Sequence, residues 1–384
     1  MRFDPERLLA LKNTPPNIVL IVADGLRWSD LCCLRNCLPG NPASRIDRLA
    51  AQGIRLKNYG VEADGILTRS ALMTGRHPRQ RCGRSLSIEG LGAAKATLAE
   101  RLSAQGYATG HFGKWQLGEG PGQLPTDRGF DEWFGIPRSA DQGRFVPGIE
   151  FEALAAAPAT VMSGGKGRRS LNLKFYDAQA HRQFGAELVE RATNFMRRQH
   201  RAGRPFFLYL PLAHLWFPTL PHPDFAGRSG KGDHADCLLE MDHRVGQVSD
   251  QIEALDITAE TLVVFCSDGA AAHHTFLGDV ARRWLDISGA AMQWRDSRAP
   301  CILRWPGTIA PGAATNEIVD VTDLFATLCA AGGIRLPSNR AIDGIDQLPL
   351  LTGLWSKSAR EEVTLGCGHG FGVDEECVDT LHAT

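Results

Sequence analysis

Four short apolar runs constrain the fold of this 384-residue chain more than any other feature. They lie at 18–22, 206–212, 261–266 and 301–304, and each is short enough to be a single strand. Apolar runs without polar alternation are typical of strands that are buried on both faces, as in a parallel sheet. Because helices must cover both faces of such a sheet, the sequence predicts an α/β fold.

Helical patterns separate these runs. Apolar residues recur at helical spacing in 98–106, 188–203 and 238–252, and a glycine ends the first two segments. The alternation predicts a large, mostly parallel central sheet with helices on both faces. Ligands of such sheets bind at the carboxyl ends of the strands. Asp24 and Asp268 each follow a strand directly, so we expect both carboxylates in one cleft.

Short motifs follow one another along most of the chain. They lie at 17–24, 68–76, 106–109, 113–118, 129–132, 206–209, 267–269, 304–307 and 348–353. Their order and composition resemble the sulfatase family, which belongs to the alkaline phosphatase superfamily. The resemblance implies the fold predicted above, a calcium ion, a formylglycine nucleophile and the hydrolysis of sulfate esters. Activity does not follow from a shared fold, so each site position has to be compared separately.

A glycine stands at the position of the nucleophile. In the family, the cysteine of C-x-P-S-R becomes formylglycine and lies ten residues before the glycine of T-G-R. Counting back from Gly75 gives Gly65. A glycine has no side chain to oxidise, so we expect no formylglycine at Gly65 and no covalent catalysis there. Thr68 matches the serine of the motif and is an alternative nucleophile, although it lies one helical turn away.

The resemblance implies a calcium ion held by two consecutive aspartates and by the Asp-Asn pair of S-D-N-G. This chain has Asp24 and Asp268, but Gly25 and Gly269 occupy the other two positions. Because a hard cation takes six or more oxygen ligands, we expect Ca²⁺ or Mg²⁺ at low occupancy. Alternatively, the two aspartates cap neighbouring helices or loops. Without a cation, facing carboxylates would repel each other, which would raise at least one pKa.

Some of the family's anion-binding and proton-transferring positions also hold different residue types in this chain. Arg69 and Lys114 match the arginine after the nucleophile and the lysine of G-K-W-H-L-G. Gln116 and Trp216 stand where the family has histidines, and none of residues 288–292 supplies its later lysine. The site therefore keeps two cations for an anion and lacks the histidines that would transfer protons.

Two further groups of residues carry metal-binding side chains. His273 and His274 could form a transition-metal site with Asp24, but a solvated loop with two histidines is the favoured interpretation because no third ligand is specified. Cys32, Cys33 and Cys37 lie close together without an obvious fourth zinc ligand. In a reducing compartment, such cysteines are small buried apolar residues.

Charge and hydropathy exclude some partner classes. A net charge of -1 gives no reason to expect nucleic acid or an anionic membrane as a partner. The first residues carry charges where a signal peptide needs an apolar stretch, and no run reaches the length of a spanning helix. We therefore expect a cytoplasmic protein.

The motifs also suggest a domain organisation. We expect an N-terminal extension at 1–16, a sulfatase-like α/β domain at 17–353 and a short tail at 354–384. The tail is interpreted as the remnant of a small second subdomain that is shortened here. Residues 137–175 and 221–235 are rich in Gly, Pro, Ala and Ser, which predicts insertion loops.

The hypothesis that follows is a sulfatase homologue without formylglycine-dependent activity. It would bind a sulfate or phosphate ester through Arg69 and Lys114, or bind a protein partner. The alternative is an active ester hydrolase with a non-standard nucleophile, or one in which a cation assists direct attack by water. A third possibility is a scaffold without a ligand, in which Trp216 fills the old pocket and an apolar patch is exposed.

Overall fold

A ten-stranded sheet organises the chain in a computed structural model, which describes residues 15–34, 44–62, 64–78, 91, 96–138, 159–216, 218–269, 298–336, 342–366 and 378–382. The strands are β1 (Asn17–Ala23), β2 (Ile54–Gly60), β3 (Ala108–Lys114), β4 (Glu132–Ile136), β5 (Thr160–Gly165), β6 (Leu171–Phe175), β7 (Phe206–Leu212), β8 (Thr261–Ser267), β9 (Cys301–Arg304), β10 (Ala313–Asp320), β11 (Glu362–Gly366) and β12 (Val378–His382). The α-helices are α1 (Ser44–Ala51), α2 (Gly65–Thr74), α3 (Leu98–Ala104), α4 (Ala178–Arg201), α5 (Asp233–Ala254), α6 (Val321–Ala331) and α7 (Leu348–Leu351). Short 3₁₀ helices occur at Trp28–Asp30, Cys32–Leu34 and Pro125–Arg128.

The central part of the sheet is parallel. Its strand order is β10-β2-β9-β8-β1-β7-β3-β4-β5-β6, and the block β8-β1-β7-β3-β4 is parallel throughout. The four apolar runs become β1, β7, β8 and β9, which confirms the predicted strands and the mostly parallel sheet. The carboxyl ends of β1, β3, β7 and β8 therefore meet at one edge of the sheet.

Two apolar cores cover the two faces of the sheet. Val19 and Ile21 of β1 belong to the core that includes α1, α4 and α5, whereas Leu20 belongs to the core that includes α2, α3 and α6. This alternation follows the two-residue period of a strand. No helix among the described residues is long and apolar enough to cross a membrane.

The prediction that 137–175 is a loop is wrong for its last part. Residues 160–165 and 171–175 form β5 and β6, which extend the sheet at one edge. β6 is exposed along its whole length, so its sequence lacks the apolar pattern of a buried strand. Residues 139–158 lie outside the described part of the chain.

The segment after α7 is attached to the main body by a buried ion pair. Arg360 donates from Nη2 to Asp323 Oδ1 at 2.6 Å and from Nε to Asp323 Oδ2 at 2.8 Å. Asp323 lies in the first turn of α6. Beyond Arg360, β11 and β12 pair as a separate antiparallel two-stranded sheet.

Candidate active site

The two predicted aspartates lie together at the carboxyl edge of the sheet. Asp24 follows β1 and Asp268 follows β8, and the amide of Asp268 donates to the Ala23 carbonyl at 3.1 Å. Arg69 Nη2 lies 2.6 Å from Asp268 Oδ2 and 3.5 Å from Asp24 Oδ2. A single guanidinium group thus contacts both carboxylates, which the structure brings together in a buried cluster.

Lys114 completes a cluster that we name the charge quartet, made of Asp24, Arg69, Lys114 and Asp268. Lys114 is the last residue of β3, and its Nζ lies 2.6 Å from Asp24 Oδ2. Arg69 also donates from Nε to Asp268 Oδ2 at 2.8 Å and from Nη1 to the Lys114 carbonyl at 2.9 Å. The two predicted anion-binding cations are therefore each bonded to a carboxylate.

The charge quartet is buried and electrically balanced. Its four side chains are between 0% and 2% exposed, and two acids face two bases. Removing charges from water is costly, and close pairing offsets that cost. Burial, followed by repulsion from Asp24, raises the pKa of Asp268 to about 6. The expected upward shift is found, although burial contributes more to it than the facing carboxylate.

Gly65 lies directly beside the charge quartet. It is the first residue of α2, and the preceding Asp64 caps this helix by accepting a hydrogen bond from the Ile66 amide at 2.6 Å. A Cβ atom on Gly65 would lie 3.1 Å from Asp268 Oδ2. The structure thus places the predicted nucleophile position at the carboxylates, where no side chain is available for covalent chemistry.

Thr68, the alternative nucleophile, is buried. Its side chain is buried in α2, and its hydroxyl lies 3.5 Å from the Glu62 carbonyl. Its proximity in sequence to Gly65 therefore does not give it an open position beside the carboxylates.

Trp216 and Gln116, which replace the family's histidines, also lie at this edge of the sheet. Lys114 Nζ is 4.5 Å from the centroid of the Trp216 ring, which is a cation–π contact. A Cβ on Gly25 would lie 3.8 Å from Trp216 Cε3, so the indole stands over this glycine. Gln116 is buried and has a φ of 61°, a left-handed conformation that costs about 1–2 kcal/mol for a residue with a Cβ.

A buried histidine–glutamate pair was not predicted from the sequence. His214 Nε2 lies 3.6 Å from Glu240 Oε1, and Arg244 Nη2 lies 3.2 Å from the same oxygen. Burial would raise the pKa of Glu240, but His214 and other donors lower it to about 2. Glu240 comes from α5 and His214 from the segment after β7, so no local pattern joins them.

The residues of the site do not fit the calcium ion that the fold implies. Asp24 and Asp268 are each bonded to a buried cation, and Gly25 and Gly269 offer no side-chain oxygen. Within the described part of the chain, no three His, Cys, Asp or Glu residues group as a metal site. Two carboxylates fall short of the six or more oxygens that Ca²⁺ takes.

Several predicted residues lie outside the described part of the chain. These are His273, His274, residues 288–292 and Cys37. Cys32 and Cys33 are described, and neither forms a disulfide with another described cysteine.

Comparison with known proteins identifies the family of this chain. The sequence model of the Sulfatase family matches residues 16–334. Over 365 residues, the chain is 36% identical to human arylsulfatase A, an alignment that covers 91% of this chain and 70% of that protein.

Solved structures share the fold. The PsFucS1 sulfatase from Pseudoalteromonas sp. superposes with a TM-score of 0.81 at 25% identity, covering 94% of this chain and 76% of that one. BT4656, solved in complex with its substrate D-glucosamine-2-N,6-O-disulfate, superposes with a TM-score of 0.67 at 17% identity, covering 96% and 86%. At that identity, the second likeness concerns the fold alone. The family match over residues 16–334 and the 36% identical arylsulfatase relative show that the chain belongs to the sulfatase family.

Proposed function

We propose that this chain is a sulfatase-family protein that does not hydrolyse sulfate esters by the formylglycine route and acts by binding. One observation carries the proposal: Gly65 presents no side chain beside a charge quartet whose cations are both bonded to carboxylates. The nucleophile is absent, and the positive charges that would hold the ester are already neutralised.

Neutralisation of the cations favours a protein partner over an anionic ligand. Arg69 and Lys114 are at most 2% exposed, so an incoming sulfate group would have to displace Asp24 or Asp268 from them. Breaking a buried ion pair by removing one partner costs about 3–5 kcal/mol. Exposed apolar side chains, such as Leu354 and Trp355 after α7, support a protein-binding role.

A sulfate or phosphate ester is the second candidate ligand. The structural neighbour BT4656 is described with a sulfated sugar as its substrate. Binding of such a ligand requires the charge quartet to open. The sulfated sugar should then compete with the internal carboxylates and bind weakly.

One observation favours an alternative, which is hydrolysis by direct attack of water. His214 Nε2 lies 3.6 Å from the Glu240 carboxylate, and histidine is the most common general base in enzymes. In this alternative, His214 would activate water, and Arg69 and Lys114 would stabilise the negative charge of the transition state. The donor set gives no support to the version in which a metal ion assists.

A hydrolysis assay tests the proposal. The full chain is incubated with 4-nitrocatechol sulfate and with 4-nitrophenyl phosphate, beside an Arg69→Ala/Lys114→Ala double variant purified in the same way. An active arylsulfatase serves as the positive control. We expect the two preparations to give the same background rate. Turnover by the natural chain above that of the double variant would contradict the proposal, and loss of that turnover in His214→Ala would establish the alternative.

Ligand binding is measured separately. Titration of the chain with D-glucosamine-2-N,6-O-disulfate, followed by calorimetry, should give no saturable heat. Saturable binding that is lost in Lys114→Ala would select the anionic ligand over the protein partner.

A further inference from the structure

The position of Lys114 resembles that of a bound cation. Its ammonium group lies 2.6 Å from Asp24 Oδ2 on one side and 4.5 Å from the centre of the Trp216 ring on the other. The ammonium group is thus held between a carboxylate and the electron-rich face of an indole. We propose that Lys114 is a built-in cation that takes the place of a divalent metal, orders this edge of the sheet and excludes Ca²⁺ and Mg²⁺ from it.

The charge balance argues for exclusion. Asp24 and Asp268 contribute -2, and Arg69 and Lys114 contribute +2, so the quartet sums to zero. A divalent ion would leave a charge of +2 among side chains that are at most 2% exposed. Uncompensated buried charge is strongly unfavourable, so the metal would have to expel Lys114 or Arg69 first.

The carboxylate oxygens are also occupied. Asp24 Oδ2 bonds to Lys114. Asp268 Oδ2 bonds to Arg69, and Asp268 Oδ1 accepts a hydrogen bond from the Gly25 amide at 3.1 Å. Three of the four carboxylate oxygens therefore have partners. A hard cation would have to replace those partners and still gather most of its ligands from elsewhere.

Space alone does not exclude the metal. A Cβ on Gly269 would meet no atom of the described residues within 4 Å, so none of these residues blocks a ligand side chain there. Gly25 differs, because its φ of 75° disfavours any residue with a Cβ. Gly269→Asn is therefore the cleaner way to add an oxygen ligand. It does so without changing the charge of the site.

This inference is independent of the proposed function. A chain that hydrolyses esters without a metal would refute the proposed function and leave the role of Lys114 intact. A chain that binds Ca²⁺ tightly but hydrolyses nothing would refute only the role of Lys114.

The test compares the natural chain with Gly269→Asn, Lys114→Met and the Lys114→Met/Gly269→Asn double variant. Lys166→Met is the matched control, because Lys166 pairs with Asp131 at 3.7 Å on the surface. Each protein is stripped with EDTA and dialysed. Each is then titrated calorimetrically with CaCl₂ up to about 1 mM, the dissociation constant of weak calcium sites. Melting temperatures are recorded with EDTA and with CaCl₂.

We expect the natural chain, Lys166→Met and Gly269→Asn to bind no Ca²⁺ and to melt at the same temperature in EDTA and in CaCl₂. The double variant should bind one Ca²⁺, and CaCl₂ should raise its melting temperature by about 3 °C or more. Lys114→Met should melt below the natural chain and recover in part with CaCl₂.

Three results would overturn the inference. The first is stoichiometric Ca²⁺ binding by the natural chain. The second is binding by Gly269→Asn, since the missing oxygens rather than Lys114 would then keep the metal out. The third is a folded double variant that binds none. If Lys114→Met does not fold in either buffer, the natural chain and Gly269→Asn still decide the question.

Discussion

Removal of the Arg69 side chain is the most direct test of the charge quartet. In Arg69→Met, Asp268 loses contacts at 2.6 and 2.8 Å, and Asp24 loses one at 3.5 Å. Two buried carboxylates then face a single ammonium group. Loss of one partner from a buried pair costs about 3–5 kcal/mol, so the free energy of unfolding should fall by that amount.

A surface pair provides the matched control. Arg198 pairs with Glu132, and their side chains are 51% and 35% exposed. Exposed pairs contribute about 0–1 kcal/mol, so Arg198→Met should leave the free energy of unfolding almost unchanged. Both variants remove an arginine from a carboxylate, and they differ in burial.

The assay is urea unfolding at pH 7, followed by far-ultraviolet circular dichroism. A third protein, Arg69→Met/Asp268→Asn, restores one cation to one carboxylate and should recover at least half of the lost free energy of unfolding. Non-additivity of about 0.5–3 kcal/mol is usual for residues in contact. A loss of unfolding free energy in Arg69→Met no larger than that in Arg198→Met would contradict the prediction. A further loss when Asp268→Asn is added to Arg69→Met would contradict it as well.

Three further predictions concern Gly65, His77 and Glu240. Gly65→Ala should lower the free energy of unfolding by about 1–3 kcal/mol, because its Cβ would lie 3.1 Å from Asp268 Oδ2. Gly165→Ala should be near neutral in the same urea assay, because its Cβ would lie no nearer than 3.8 Å to any other described residue. Burial opposes the charge on His77, but the Glu62 hydrogen bond leads the groups that raise its pKa from 6.5 to about 9. Protonated His77 should therefore stabilise the fold fully below pH 6.5, and this stabilisation should be lost as the pH rises through 9. In His77→Gln, the free energy of unfolding should depend less on pH between these two values. Because the pKa of Glu240 is lowered from 4.5 to about 2, its ionised carboxylate should stabilise the fold above pH 4.5. This stabilisation should be lost as the pH falls towards 2. In Glu240→Gln, an acid-unfolding curve should lack that pH dependence.

The predictable part of the fold lies in its buried strands. Apolar runs in the sequence predicted four strands, because both faces of each strand are covered: β1, β7, β8 and β9. β6 was missed for the opposite reason, since all of its residues are exposed and it carries no buried face to impose a pattern. Sequence patterns report burial, so an exposed edge strand is the element most easily taken for a loop.

The residues of the candidate site could be predicted from the sequence, but the ion pairs that they form with one another could not. Strand ends place Asp24 and Asp268 at one edge, and this followed from topology alone. The pairing of Lys114 with Asp24 joins residues 90 positions apart, and that of Arg69 with Asp268 joins residues 199 apart. From the sequence, Arg69 and Lys114 are predicted to be available to bind an anion. Only the distances between side chains show that both are already paired with Asp24 or Asp268.

These pairings change how the matching residues should be interpreted. A family site that loses its metal must still balance the charges that it buries, because uncompensated buried charge destabilises the fold. With Gly25 and Gly269 in two ligand positions, two carboxylates remain and require two cations. Arg69 and Lys114 meet that requirement with contacts of 2.6 Å each. If Lys114 takes the place of the metal, as proposed, the stability of the site explains why Arg69 and Lys114 are present, and they give no independent support for an anionic ligand.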